Sequence, residues 1–253
     1  MPALLRDMNM WPAVAHDALG EIVSRLRLAG VIELVEEQTA ATWKSNVDRY
    51  EPTEFGDTPR TLGVTAAENL RVLIERACTD QGQPWQQRGV HAATEDNSLV
   101  IRHDGVALRT KKAPTAMGRR PDWAAFDWAN DSACRHDAAV RNTALYCPPL
   151  AADGQDVLAG WDMPHGDATL LREVILVWSG QVETGLTAGW LGFPVLGPSP
   201  WVAVEQLWWH DTPPAGRRTT FTSPAAPHGP TFLERRQREP QIALKPRREQ
   251  AGS

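Results

Sequence analysis

The residues best able to do chemistry lie in the stretch MPHGDATLLRE and on the strand-like runs beside it. His165, Asp167 and Glu173 fall close together in the chain, and Glu205 sits near the middle of a second apolar run, WVAVEQLWW, at 201–209. Carboxylates with a histidine can hold a divalent cation or share acid–base work. In that reading Asp167, Glu173 and Glu205 hold the metal and His165 moves protons, as in a metal-dependent hydrolase of nuclease or phosphohydrolase type. The same residues have a plainer reading. Proline, glycine and aspartate are turn formers, so this stretch also reads as a turn, and a carboxylate on a covered strand can be held in a structural salt bridge. The sequence specifies neither the metal nor any cofactor.

Other candidate motifs are thinner. Four histidines precede an aspartate, at His16, His103, His136 and His210. Of these only His16 falls on a well-defined helical pattern, too little for a helical His-Asp metal site. Cys134 and His136 form one close-spaced pair, with Cys147 and His165 further on, whereas structural zinc usually draws on two such pairs. The stretch LRTKKAP places Lys111 and Lys112 at the end of a hairpin. Lacking a carboxylate two residues before either lysine, it reads as a solvated edge strand protected by lysine. No P-loop, Rossmann glycine pattern, His-Glu-x-x-His or Gly-x-Ser-x-Gly occurs.

The elements that must position these groups are readable from periodicity. Residues 12–29 pattern as a helix, with Leu19, Ile22, Val23 and Leu26 on one face and Gly30 as its stop. Thr65 to Glu68 forms a capping-box pattern ahead of Leu70, Leu73, Ile74 and Ala77, which predicts a helix there, and 132–146 predicts another. Residues 97–111 alternate about Asp104-Gly105, a hairpin signature. Runs 171–179 and 201–209 are rich in strand formers and apolar on both faces, as expected of covered strands. In the last run Trp201, Ala203, Glu205, Leu207 and Trp209 alternate with Val202, Val204, Gln206, Trp208 and His210. The expected fold is α+β: N-terminal helices packed on a mostly antiparallel sheet, as a single domain over 1–210.

Between the two strand runs, residues 181–200 are punctuated by glycine and proline and read as a connection. Trp190, Leu191 and Phe193 there, with Trp209, are candidate apolar anchors for a protein partner; the alternative is an internal lid over the sheet. Beyond 210 the chain changes character. Eight basic residues against four acids make the tail +4, which leaves −9 of the net −5 for the body. Seven prolines in that tail predict an extended or disordered segment over 211–253, and its charge permits a nucleic-acid contact.

Composition is that of a globular chain: 42% hydrophobic, 23% charged, and long enough at 253 residues for a sizeable core. Three scattered cysteines suggest reduced thiols and a cytoplasmic setting. An early acidic residue and the lack of an apolar core argue against a signal peptide, and no apolar run is long enough for a membrane span.

The stretches RYEPTEFGDTPRTLG, LVWSGQVETGLTAGWLGFP and QLWW resemble parts of proteins from GC-rich bacteria and their phages. Some of those are the toxin half of a toxin–antitoxin pair, encoded beside a helix-turn-helix/zinc-peptidase regulator. The resemblance spans most of residues 10–210 and carries no catalytic motif. It implies an intracellular effector that acts through protein interaction and is held by an antitoxin-like partner. Against it stands the metal-dependent hydrolase reading of the His/Asp/Glu set.

Overall fold

A computed structural model describes residues 13–80, 84–114, 118–146 and 166–211. Three helices come first: α1 (Ala13–Leu28), α2 (Val31–Val47) and α3 (Pro59–Thr79). Strands β1 (His91–Glu95), β2 (Ser98–His103) and β3 (Val106–Lys112) follow, then α4 (Ala133–Tyr146), and last β4 (Glu173–Gly180), β5 (Thr187–Pro194) and β6 (Trp201–Trp209). The six strands form one sheet in sequence order. All neighbours are antiparallel except β3 and β4, which run parallel, with α4 falling between them in the chain. The protein is therefore α+β with a mostly antiparallel sheet. Among the described residues no helix is long and apolar enough to cross a membrane.

The helices follow their local chemistry. The apolar stripe of α1 is buried, and Gly30 ends it in the left-handed region at φ 79°, so that α2 starts at once. The N-terminus of α3 lies six residues before the Thr65 box. Pro59 occupies the first turn, Thr58 Oγ1 accepts from the Thr61 amide at 3.1 Å, and Thr61 Oγ1 accepts from the Thr58 amide at 2.9 Å. That reciprocal cap with a proline behind it outcompetes the later box, which lies inside the helix.

The sheet is covered on both faces. Against one face pack α1, α2 and α3, with Val174, Leu176, Trp178, Leu191, Phe193 and Trp208 in that core. Against the other lie α4 and the 118–131 segment, with Ile175, Val177, Trp190, Trp201, Phe126 and Trp128. In that second core Trp128 meets Trp201 edge-on at 4.8 Å, a favoured aromatic geometry.

Two features of β5 and β6 correct the sequence reading. The punctuated connection at 187–194 is a wholly buried strand. Its glycines are sockets for tryptophans: a Cβ on Gly189 would lie 2.2 Å from the Trp208 ring, and one on Gly192 2.7 Å from Trp201. Glycine inside a strand often marks such a close approach. In β6 the pairing slips twice, between Gly192 and Pro194 and between Gly189 and Trp190, each slip leaving one extra β6 residue. Two bulges return Trp201 and Trp209 to one face, as alternation alone predicts. Between them the phase is inverted, so Ala203 and Leu207 join Trp208 in the core under the N-terminal helices. The adjacent tryptophans thus enter opposite cores: Trp208 against the N-terminal helices, Trp209 beside Trp190.

Candidate functional site

Of the four expected acid–base residues, the three that are described do not converge. His165 and Cys147 lie outside the described residues. Asp167 accepts from the Thr169 amide at 2.9 Å and from the Thr169 hydroxyl at 2.5 Å, capping a short 3-10 turn. These hydrogen bonds hold its carboxyl below the ordinary aspartate range. Glu173 sits at the start of β4 on the α4 side, and both of its oxygens are engaged. One pairs with Arg109, whose side chain is 2% exposed, and the other accepts from Arg141 Nε at 2.6 Å. Glu205 is separated from β4 by the whole of β5 and packs by Gly20 of α1. Burial pushes its carboxyl up, with the Arg27 and His16 charges acting the other way. Among the described residues no three of His, Cys, Asp and Glu gather as a metal site would need. Glu173 is held in two ion pairs, and it does not meet Glu205, because β5 stands between the strands that carry them.

The expected partner anchors are also relocated. Trp190, Leu191 and Phe193 belong to β5 and are all buried. Trp209 is half-buried, with the Arg119 guanidinium 4.2 Å from its ring centroid. A surface loop carrying apolar anchors is replaced by the middle of a two-sided core.

Among the described residues, two of the surface cavities are lined by clusters of charged side chains. The larger, about 630 Å³, lies at the start of β3 and the end of β2. Its charges are mixed and largely paired: Arg102 with Glu95, and Arg109 and Arg141 with Glu173. The other, about 490 Å³, lies at the opposite end of the sheet, beyond the C-terminal ends of the parallel strands β3 and β4. Crevices at the carboxyl ends of parallel strands are where open α/β sheets receive ligands.

This second groove is strongly cationic. Arg60, Arg71, Lys111, Lys112 and Arg135 line it, with Glu68 as the one carboxylate among the lining residues. Part of that charge is balanced. Arg71 pairs with Glu68 at 2.6 Å, and Asp131 pairs with both Lys111 and Arg135. Although burial works to raise the Asp131 carboxyl, the Arg135 charge and the Lys111 hydrogen bond outweigh it and hold the group below the ordinary range. Arg135 also donates to Ser98 Oγ at 3.0 Å and to the Thr110 carbonyl at 3.2 Å, which fixes its fork at the groove wall.

The two lysines diverge because they are consecutive on a strand. Lys111 points toward α4 and lies 5.8 Å from the Trp128 ring centroid. Lys112 points the other way, its ammonium 5.6 Å from the Trp43 ring and 6.0 Å from the Trp178 ring, within cation–π range. Two glycines make this nest. A Cβ on Gly63 of α3 would lie 3.2 Å from Lys112 Cδ and Cε, and one on Gly180 would lie 2.3 Å from the Trp43 ring. Burial pushes the Lys112 ammonium below the ordinary lysine range.

The lysine pair was legible only as an edge device. That reading is corrected by the sheet order, in which β3 is interior, between β2 and β4. The signal for the groove is the pair of adjacent lysines in a chain with only four, but its arginine partners are distant in sequence. Comparison with known proteins adds no role: no family model matches the chain, and neither a curated protein nor a solved structure matches it.

Proposed function

We propose that the protein works by binding a small anionic ligand, of phosphate or carboxylate class, in the groove beyond the C-terminal ends of β3 and β4. One observation carries this reading: five cationic side chains line a cavity of about 490 Å³, and the two carboxylates paired with them, Glu68 and Asp131, leave a surplus of positive charge. Arginine forks suit two-point recognition of such oxyanions, and lysine supplies a point charge. The first turn of α3, at Pro59 and Arg60, also borders the groove and adds the positive end of a helix dipole. The hydrolase reading draws no support from the placement of Asp167, Glu173 and Glu205. The toxin-like effector reading rests on the sequence resemblance, and a ligand-controlled groove fits an effector whose activity is regulated.

Calorimetric titration with inorganic pyrophosphate tests the proposal. Saturable binding at one site is expected, weakened about tenfold or more in Lys111→Ala, since a charged hydrogen bond is worth about 1.5–3 kcal/mol. Absence of binding, or binding indifferent to Lys111 and Arg60, overturns it.

A further inference from the structure

We infer that the ligand of this groove is an amphipathic organic anion, with an oxyanion head held by the cationic side chains and an apolar body laid on α3 over Val64 and Ala67. The inference rests on the anion-binding reading and adds to it the class of ligand. A cavity of about 490 Å³ falls in the range that receives whole organic molecules, and an inorganic oxyanion leaves most of it unfilled. Its lining is divided by chemistry. Lys111 of β3 and Arg135 of α4 supply charge, with Ser98 as a neutral hydrogen-bonding group, whereas Pro59, Val64 and Ala67 of α3 supply apolar surface.

Helix geometry sets this apolar strip apart from the core. Leu62, Ala66, Leu70 and Ile74 recur every four residues on one stripe of α3, and all four are buried. Successive residues of a helix are turned by about 100°, so Val64 lies about 200° from both Leu62 and Ala66, on the side away from that stripe. It stays 57% exposed. The core makes no demand on it, and a β-branched residue is a poorer choice for an exposed helix surface than alanine or a long unbranched side chain. Ala67 is half-buried beside it. Along the helix axis the strip is bracketed by charge. Arg60 precedes Val64 by four residues and Arg71 follows Ala67 by four, each a rise of about 6 Å. An apolar body on the strip therefore has a cation near either end, and the surplus of positive charge around the groove selects an anionic head over a neutral or cationic one.

Calorimetric titration of the full chain with inorganic phosphate and with methyl, butyl and hexyl phosphate, at constant ionic strength, tests the inference. Full burial of a methylene is worth about fourfold in affinity. With half of that free energy realised on an open groove, affinity should rise about twofold per methylene and roughly thirtyfold from methyl to hexyl phosphate. Val64→Ser should cut the hexyl gain by about threefold or more, with inorganic phosphate binding and the melting temperature little changed, and Val64→Leu should keep the gain. Equal affinities for the three esters overturn the inference and leave the anion site standing. A full hexyl gain that persists in Val64→Ser does the same. If neither inorganic phosphate nor any ester binds, the anion site and the inference fall together.

Discussion

Replacing Glu173 with glutamine separates a structural carboxylate from a catalytic one. Glu173 faces Arg109 and Arg141 at once, and the Arg109 side chain is almost wholly buried. The other acceptors of Arg109 are the Cys134 sulfur, 3.0 Å from Nε, and the Ala107 carbonyl at 3.4 Å. Neither balances a full charge. Breaking one side of a buried ion pair costs about 3–5 kcal/mol. Glutamine keeps one acceptor oxygen, and Glu173 retains 16% side-chain exposure, so the cost falls somewhat below that range, to about 2–4 kcal/mol. For a chain of this size that is a fall in melting temperature of roughly 5–15 °C. Urea unfolding and calorimetry measure it directly. Arg141→Ala serves as the control: its side chain is half exposed, and its loss should cost under about 1 kcal/mol. The double change Glu173→Leu with Arg109→Met should recover most of the lost stability, because it removes both charges. A Glu173→Gln protein as stable as the parent would refute this account of the pair.

Two further changes probe the sheet. Gly189→Ala places a Cβ within 2.2 Å of the Trp208 ring, and overpacking of that kind should cost about 1–3 kcal/mol or more; retention of full stability in urea would show that Trp208 does not sit in that socket. Glu205→Gln should stabilise the protein at neutral pH and make little difference near pH 4. The folded state raises the Glu205 carboxyl through burial, so the acid form favours folding, and that contribution is lost as pH rises through the folded value. A Glu205→Gln protein less stable than the parent at pH 7 would contradict this.

The parts of the fold that sequence foretells are those fixed by local chemistry. The α1 stripe from Leu19 to Leu26, the Asp104-Gly105 turn and the β6 run all depend on neighbours in the chain, and all appear in the structure. The errors come from contacts between distant residues. Gly189 and Gly192 read as loop punctuation because the tryptophans they accommodate arrive from another strand. Alternation in β6 misplaced Glu205 because bulges are set by pairing with β5. Lys111 and Lys112 read as edge protection because nothing local says that β4 pairs in parallel beside them. The groove was illegible for the same reason: Arg60 and Arg71 come from α3, Arg135 from α4, and only the tertiary fold sets them around the lysines.

The most direct test of the anion groove is backbone amide NMR of the labelled protein titrated with pyrophosphate at constant ionic strength. The account predicts saturable shifts centred on Arg60, Gly63, Ser98, Lys111, Lys112 and Ala113, all at the groove. Shifts centred instead on His91, Arg102 and Asp137, around the larger cavity, or no saturable shifts at all, would contradict it.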